Sequence, residues 1–589
     1  MAGWDFDAGR TGRRPRGAGP RIRKLEDRLL LSATPEATVE DLPAVSLINE
    51  GFGFTVEFEN TADPNQPDPQ GYAPFFDLTV EPGAQLTGAD YEGSALTLDE
   101  VATWDGVQWI DAQGDPVAEH PLDEVGGLLA LPTGTVEGQI WYLLELPFGS
   151  YGPDQPTLPI NFSGTLNESA DPAMPQDGAE PGVPVQITSR GGFRFGLDSL
   201  DNPSTDPPIQ QSTTSTDTIT PVILTISKDV ALPEGETAQG PNFEFDYVIS
   251  IDVANGATVE NVVLTDLLPD NLFFLDAVSS DPSAVIDAPG AGQPQGIPGL
   301  DTAATATFEF ARIDGVQGVD ATITLTAYAP ESDASGVDLI DTAAPTSTTA
   351  LNEVSATADF EGAPIDPGLA PTLTDDATAI IRPYTVQKSV EVVGGGDAVP
   401  GALLRFTVEI DVSDYQSFQD FDLTDVLSDG LTLDTSSGRD PEATVRQDGV
   451  QTVLTLDQTT GPNAELETRF LPGTDPNDPF GQELIFRLSQ AELNDGGDGT
   501  FSGDLWQGDP LDNDPTTISL VYFARIEESF REPGRGAVVV NDRFSNSVSG
   551  GANSSDGGGP AEDDGSGAGI GVPAPDVRKE VYAVNGVIG

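Results

Sequence analysis

Three polar residues stand on otherwise apolar strand faces in one segment of this chain. Successive side chains of a β-strand alternate between its two faces. Lys228 and Asp266 therefore each share a face with the apolar residues two and four positions earlier, and Asn352 shares one with the apolar residues two and four positions later. Because a charge buried in a core is costly unless it is paired, the pattern predicts that these side chains meet inside the fold.

The same residue types return in a second segment. Lys388 and Asp425 are almost as far apart along the chain as the first Lys and Asp, and Asn546 follows them. Lys579 begins a third, short copy near the end of the sequence. A tandem array of one β-domain usually serves as a spacer or a display surface, so we expect further repeats of the same chain downstream.

Two kinds of chemistry would satisfy such a polar cluster. In one, Lys and Asp form a buried ion pair, and Asn hydrogen-bonds to the chain. In the other, Lys and Asn condense into an isopeptide bond, which needs an apolar site that lowers the pKa of Lys and raises that of Asp. For either, we expect Lys and Asn on adjacent first and closing strands. A simpler alternative is that Asp266 and Asp425, which precede LLPDN-type and LSDG turns, only cap those turns.

Three acidic loops are candidates for binding calcium, the one cofactor that the sequence suggests. Asp, Asn and backbone carbonyls at alternating loop positions suit a hard ion that takes about 6–8 oxygen ligands. No loop has the complete EF-hand spacing with its closing Glu, and ordinary turns in an acidic chain would explain them equally. The residues concerned are Asp475, Asn477, Asp478, Asn494, Asp495, Asp498, Asp504, Asp509, Asp512 and Asp514.

Composition excludes several classes of function. The chain has 25 Lys and Arg against 97 Asp and Glu, a net charge of −72, which disfavours partners such as nucleic acid or anionic lipid. It has no cysteine, which excludes thiolate zinc sites and cysteine catalysis. The single histidine, His120, predicts no Ser-His-Asp triad and is interpreted as a surface loop residue. No apolar run approaches the length of about 18 residues that a membrane span requires.

The predicted fold class is all-β: serial Ig-like sandwiches behind a disordered or short helical basic leader. Short strands with period-two patterning, separated by Gly, Pro, Asp and Asn, indicate this class. We interpret 201–221 as a polar linker and 552–569 as a flexible Gly-rich linker or loop. The predicted domains are the leader 1–36, an N-terminal sandwich with its linker 37–220, repeat one 221–382, repeat two 383–575 and a truncated third repeat 576–589.

Two sequence resemblances bear on the fold and the cellular location of the chain. The run RKLEDRLLLSATPE resembles the LEPR-XLL motif of large bacterial surface and secreted repeat proteins, with Asp27 where that family usually has Pro; the matching residues are Leu25, Glu26, Arg28, Leu29, Leu30, Leu31, Ser32 and Ala33. The opening Lys, the LTD-LP-like strand and the closing N-V strand of both repeats resemble the domain of unknown function 11 family. These resemblances imply Ig-like sandwiches in an extracellular or cell-surface protein of a bacterium.

Two functions are then open. The first is a non-enzymatic stalk or adhesin, whose partner is an unidentified surface protein or glycan. The alternative is a calcium-dependent glycan- or protein-binding module in 37–220, which the repeats space. The aromatic residues of that domain distinguish the two, because a groove lined with them favours binding and a buried set favours spacing; we expect them in the core. They are Trp104, Trp109, Trp141 and Tyr142.

Overall fold

The fold is built almost entirely of β-strands. A computed structural model describes residues 33–65, 69–123, 128–168, 178–195, 208–211, 213–289, 304–365, 373–436, 438–457, 463–474, 479–508, 514–573, 583–584 and 587–588. With 56% strand and 3% helix, it confirms the predicted all-β class. The motif residues 25–32 and the expected disorder of the leader lie outside the described residues, as does most of the third repeat.

The chain divides into two compact units, and the first comprises the described residues up to Ser46 together with Gly51–Pro221. It contains a five-stranded sheet of order β1-β3-β11-β5-β6 and a nine-stranded sheet that runs β2-β14-β12-β4-β9-β7-β8, with β10 on β4 and β13 on β12. Its strands are β1 Pro35–Glu40, β2 Val45–Leu47, β3 Gly51–Asn60, β4 Gly71–Val80, β5 Ala84–Tyr91, β6 Ser94–Leu96, β7 Leu98–Trp104, β8 Trp109–Ile110, β9 Ile140–Glu145, β10 Ser150–Tyr151, β11 Leu158–Leu166, β12 Val185–Phe195, β13 Ile209–Gln210 and β14 Ser215–Val222.

The predicted start of this domain and the linker predicted at its end need correction. Strand β1 begins at Pro35, inside the segment assigned to the leader. Strand β14 occupies Ser215–Val222, which was interpreted as linker, and it pairs antiparallel with β12 from Val185 to Ser189. The Thr residues that suggested a linker are β-branched and suit a pleated strand as well, so composition alone misassigned the segment.

The second unit, Leu47–Glu50 and Val222–Gly589, holds both repeats. Repeat one has a sheet of order β15-β17-β22-β19 and a sheet of order β16-β25-β23-β18-β21-β20, with β24 on β23. A short 3-10 helix, Pro233–Gly235, follows the first strand. The strands are β15 Leu224–Ala231, β16 Glu236–Ala238, β17 Phe245–Val253, β18 Thr258–Leu268, β19 Phe273–Ser279, β20 Val285–Asp287, β21 Ala304–Asp314, β22 Ala321–Tyr328, β23 Thr348–Phe360, β24 Ala363–Pro364 and β25 Thr374–Arg382.

Repeat two has sheets of order β26-β27-β35-β30-β31, with β29 on β35, and β32-β33-β28-β36-β37, with β34 on β28. It also has helix α1, Leu488–Asn494, and a 3-10 turn, Trp506–Gly508. Its strands are β26 Tyr384–Val392, β27 Leu403–Val412, β28 Ser417–Leu427, β29 Leu431–Leu433, β30 Glu442–Gln447, β31 Val450–Thr455, β32 Leu466–Phe470, β33 Gln482–Arg487, β34 Thr500–Ser502, β35 Thr517–Ile526, β36 Arg543–Ser554 and β37 Asp564–Gly571; β38 Ala583–Val584 and β39 Val587–Ile588 form a hairpin beyond it.

The two repeats share one strand order. In one sheet, β15-β17-β22 corresponds to β26-β27-β35. In the other, β25-β23-β18-β21 corresponds to β37-β36-β28-β33. Strands such as β17 and β35 alternate strictly between buried and partly buried residues, as expected for strands with one face on a core. The two sheets of each repeat face each other across that core.

The Gly-rich segment 552–569 near the end of repeat two is not a linker: residues 555–563 form a loop between β36, which ends at Ser554, and β37, which begins at Asp564. Strand β37 pairs antiparallel with β36 from Arg543 to Gly550 and closes the second sheet. At Gly565 a Cβ would lie 2.8 Å from the carbonyl oxygen of Val548, so a side chain there would collide with the neighbouring backbone. Glycine here permits close strand approach, which a composition-based assignment took for flexibility.

Candidate functional site

A lysine and an aspartate from opposite sheets pair at the centre of repeat one. Lys228 projects inward from β15, and Asp266 projects inward from β18 in the facing sheet. The Lys228 Nζ forms an ion pair with Asp266 Oδ2, and both side chains are completely buried. The Tyr247 ring lies below the ammonium group, with its centroid 5.4 Å from Nζ. The predicted placement of these two residues in a core is what the structure shows.

Asn352 completes the cluster of repeat one. It lies on β23, two residues before Val354, which is the residue that pairs with Asp266 across the ladder, and so it is on the same face. Its side chain is fully buried, and neither amide atom makes a hydrogen bond of good geometry. Because an unsatisfied buried amide is costly, this arrangement calls for a chemical explanation.

Burial drives both charged groups of the pair toward their neutral forms. Burial raises the pKa of Asp266, and the adjacent Lys228 and Asn352 side chains act against that rise. Burial likewise lowers the pKa of Lys228, which Asp266 opposes. The same two directions hold for the pKa values of Asp425 and Lys388 in repeat two. A neutral amine next to a protonated carboxyl is therefore favoured relative to isolated groups in water.

Repeat two builds the cluster from the equivalent strands and adds a tyrosine. Lys388 on β26 pairs with Asp425 Oδ2 on β28, and both side chains are completely buried. The Tyr522 hydroxyl donates to Asp425 Oδ2 at 2.7 Å and accepts from Asn546 Nδ2 at 2.7 Å. The Phe406 ring centroid is 5.3 Å from the Lys388 Nζ. The hydroxyl thus links the carboxyl to the amide.

The tyrosine sits on a different strand in each repeat. Tyr247 on β17 pairs with Leu325, whereas Phe406 on the equivalent β27 pairs with Tyr522. The Tyr247 hydroxyl donates to the Ala350 carbonyl at 2.9 Å and makes no hydrogen bond to the amide of Asn352. Neither tyrosine was predicted from the sequence. The signal that could have found Tyr247 was an aromatic on the buried face of β17, two residues before the residue that pairs with Lys in the ladder; Tyr522 lies opposite the equivalent aromatic of β27, Phe406.

Two expectations about these residues are wrong. Lys and Asn do not lie on adjacent strands, because β15 and β26 belong to one sheet while β23 and β36 belong to the other. The Asn strand is also not the closing one, since β25 and β37 follow it and pack beside the first strand. The turn-capping alternative is contradicted as well: Asp266 and Asp425 pair within strands and have no exposed surface. Sequence parity gives the face of a residue, but it does not say which sheet the strand joins.

The acidic loops are only partly described. Asp475, Asn477, Asp478, Asp509 and Asp512 lie outside the described residues.

The remaining acidic-loop residues lie in the described part of repeat two. Asn494 donates from Nδ2 to Glu465 Oε1 at 2.5 Å, and Asp498 Oδ1 accepts from the Thr500 backbone at 3.0 Å. Asp495 caps helix α1, Asp504 is buried, and Asp514 precedes β35. Over the described ranges, no group of three or more His, Asp or Glu side chains is arranged to hold a metal ion.

His120 is buried, which contradicts its interpretation as a surface loop residue. Its Nε2 lies 2.9 Å from Asp77 Oδ1, which also accepts from Trp141 Nε1 at 3.0 Å. Arg190 donates to the other carboxylate oxygen at 2.9 Å. The Leu122 N–H donates to Nδ1 at 3.1 Å, so the ring proton is on Nε2 and both nitrogens are used. The Asp77 carboxylate thus bonds His120, Trp141 and Arg190 within the N-terminal domain. His120 has a structural role, which its position in a Pro-rich loop did not indicate.

The aromatic residues of the N-terminal domain belong to its core, as expected. Trp109, Trp141 and Tyr142 are buried, with exposed fractions of 2%, 0% and 2%. Trp104 is partly buried and packs edge to face on Trp109, with ring centroids 5.4 Å apart. In the part of the domain that the structure describes, these rings line no groove, which favours spacing over ligand binding by this set.

The junction between the two repeats is short and closely bonded. Strand β25 ends at Arg382 and β26 begins at Tyr384, so Pro383 alone separates the repeats. The Arg382 side chain pairs with Glu236 of repeat one and lies 3.2 Å from Asp564 of repeat two. One guanidinium group therefore bridges both domains.

Two further contacts fasten the junction. Asp414 of repeat two has no exposed surface, and its carboxylate accepts from the backbone and side-chain amides of Asn242 in repeat one at 2.9 and 3.0 Å. On another side, Glu562 of repeat two accepts from the backbone and hydroxyl of Ser347 in repeat one at 2.6 and 2.8 Å. The repeats are thus joined on several sides of a one-residue connection.

Comparisons with known proteins yield distant structural likenesses only. No family model matches the sequence, and no curated protein matches it. Among solved structures, the MSCRAMM ACE of Enterococcus faecalis is 12% identical, with 58% of this chain and 94% of that chain covered and a TM-score of 0.19. The major pilin SpaD of Corynebacterium diphtheriae is 10% identical, with 58% and 65% covered and a TM-score of 0.19. A cohesin of Archaeoglobus fulgidus is 15% identical, with 27% and 91% covered and a TM-score of 0.18. TM-scores this low carry no functional inference.

The described residues also include no helix that is long and apolar enough to cross a membrane.

Proposed function

We propose that the chain is a non-enzymatic, extracellular or cell-surface repeat protein of a bacterium, and that its repeats act as a stiff stalk. The observation that carries the proposal is the junction at Pro383. A flexible linker would let neighbouring domains reorient freely, whereas a one-residue connection with bridging contacts fixes their relative orientation. Arg382 and Asp414 supply those contacts from side chains that are largely or completely withdrawn from solvent.

The composition and the N-terminal domain support a spacing role. A net charge of −72 keeps a long chain soluble and free of self-association. The buried tryptophans of the first domain pack in its core, and both ring nitrogens of His120 make contacts, one with Asp77 and one with a backbone amide. The resemblance of the leader to the motif of bacterial surface proteins supports the location.

The stiffness is tested by measuring the distance between spin labels on the two repeats. The 589-residue chain has no cysteine, so Val278→Cys and Val453→Cys, at exposed strand positions, label one site in each repeat. We expect one narrow distance distribution. A Gly-Ser-Gly-Ser insertion after Pro383 should broaden it, and the same insertion at Gly318, a loop position with open space around it, should not.

Two results would contradict the proposal. A broad distribution in the unmodified chain would show that the junction is flexible and that the repeats are not a stalk. For the location, antibody against repeat two should label intact, unpermeabilised cells that express the gene. Labelling only after permeabilisation would refute the surface assignment while leaving the measured stiffness valid.

A further inference from the structure

We infer that each repeat forms an intramolecular isopeptide bond, from Lys228 to Asn352 in repeat one and from Lys388 to Asn546 in repeat two. The carboxyls of Asp266 and Asp425 would transfer protons between the Lys amine and the Asn amide during bond formation. The bond would be a covalent modification within the core of each sandwich. The inference does not depend on the proposed stalk function, and either can fail without the other.

The first support is the arrangement of nucleophile, acid and amide. In each repeat the Lys Nζ contacts one oxygen of the Asp carboxyl, and the Asn side chain lies close enough to the same carboxyl to act on its pKa. All of these side chains are buried, which excludes competing water and holds the groups in place. Two copies of the chain segment, with different surroundings, have assembled the same three groups.

The second support is the set of unsatisfied polar atoms. Both amide atoms of Asn352 and the Oδ1 atoms of Asp266, Asp425 and Asn546 are buried and make no hydrogen bond of good geometry, although each Asn side chain lies near enough to its Asp carboxyl to oppose the rise in its pKa. Native cores satisfy nearly all such atoms, so a cluster of exceptions at one place needs a cause. Condensation removes the amino group and the amide NH2 as separate donors and leaves a single N–H, which the Asp carboxyl can accept.

The chemistry balances without an added reagent. The neutral Lys Nζ attacks the Asn Cγ, and its lone pair becomes the new C–N bond while the protonated Asp donates to the amide oxygen. The carboxylate then takes a proton from Nζ and passes it to Nδ2. The Cγ–Nδ2 bond breaks, ammonia leaves with the electron pair of that bond, and the hydroxyl proton returns to Asp. An amine and a primary amide become a secondary amide and ammonia, and nothing is oxidised or reduced.

The surroundings suit this reaction. The aromatic rings of Tyr247 in repeat one and of Phe406 and Tyr522 in repeat two lie 5.3–5.4 Å from the Lys Nζ and keep its site apolar. In repeat two the Tyr522 hydroxyl touches both the Asp425 carboxyl and the Asn546 Nδ2, which is the nitrogen that must be protonated to leave. It offers a path for that proton.

The intact mass of the unfolded 589-residue chain tests the inference. The expected mass is lower than the sequence mass by two molecules of ammonia, and trypsin should release branched peptides that join the Lys and Asn segments, because it cannot cut after a linked Lys. Lys228→Met should restore one ammonia and remove one branched peptide, and Lys388→Met the other. Lys24→Met, in the leader, is the matched control and should change neither.

Other outcomes overturn the inference. A folded chain with the full sequence mass would show that the groups remain an ion pair. Loss of ammonia that persists in Lys228→Met would indicate succinimide formation at an asparagine instead. Because Lys228→Met could fail to fold by leaving Asp266 buried alone, the double variant Lys228→Met with Asp266→Leu is measured beside it, with circular dichroism as the check on folding.

Discussion

Asp414 at the repeat junction should make the protein more stable in mild acid than at neutral pH. Burial raises the pKa of this carboxyl from 3.8 to about 6, although the two amides of Asn242 partly oppose the rise. Between pH 3.8 and about pH 6, the Asp414 carboxyl is therefore protonated in the folded state and ionised in the unfolded chain. Its contribution is present in full below pH 3.8 and is lost as the pH rises through 6.

The size of the effect follows from the shift. A difference of about two pKa units at about 1.4 kcal/mol each gives about 3 kcal/mol between the two ends of the window. For domains of the size of these repeats, that corresponds to a change in Tm of about 6–12 °C. Asp252, Asp411 and Asp422 also have pKa values raised to about 6 by burial, so they act in the same direction.

Calorimetry at pH 5 and pH 7.5 samples about half of this difference for Asp414, about 1.4 kcal/mol, because the carboxyl of the unfolded chain is already ionised at pH 5. Asp414→Asn isolates the residue. Asn keeps an acceptor for the Asn242 amide but carries no charge, so it should raise the Tm at pH 7.5 and shrink the difference between the two pH values. The control is Asp333→Asn, an exposed group whose pKa is lowered by the Ser335 hydroxyl and nearby backbone amides. If Asp414→Asn leaves the pH difference unchanged, the carboxyl is not desolvated in the way that we describe.

Three shorter predictions follow. Tyr522→Phe should destabilise repeat two by about 1–3 kcal/mol, because it removes a buried hydroxyl that donates to the Asp425 carboxyl; hydrogen exchange of repeat two against repeat one measures this, and equal exchange would contradict it. If the acidic loops of 474–515 bind calcium, millimolar calcium should raise the Tm relative to chelator by mass action, and an unchanged Tm removes the calcium hypothesis. His120→Leu should lower the Tm of the N-terminal domain, since it leaves Asp77 with one fewer buried donor; an unchanged Tm there would show that Arg190 and Trp141 suffice.

Period-two patterning was enough to place the polar cluster on inner faces. The alternation around Lys228 and Asp266 is a local property, and the structure buries both side chains. The spacing between repeats also gave the correspondence of Lys388 and Asp425. What parity could not give was the partner strand, since sheet membership depends on contacts between distant segments. The prediction that Lys and Asn lie side by side failed for this reason.

Composition misled wherever small polar residues form strands. The segments Ser215–Val222 and Asp564–Gly571 are rich in residues typical of linkers, yet both are paired strands. Tertiary pairing outweighs local preference there. The prediction for His120 was wrong in the opposite direction. A residue in a Pro-rich loop can be buried when it hydrogen-bonds to a buried carboxylate, here that of Asp77.

The position of the cluster gives the inferred bond a mechanical consequence. Within each repeat, the chain enters on the first strand and leaves on the last, and these two strands lie side by side: the Lys228 backbone amide donates to Asp375 on β25 at 2.6 Å. Tension along the chain would therefore act directly on the contact between them. A covalent bond from Lys228 to Asn352 would carry that tension from β15 across the core to β23, so that residues 229–351 bear none of it. The interior of each sandwich would then stay folded under load without any disulfide, which is what a stalk built from cysteine-free domains requires.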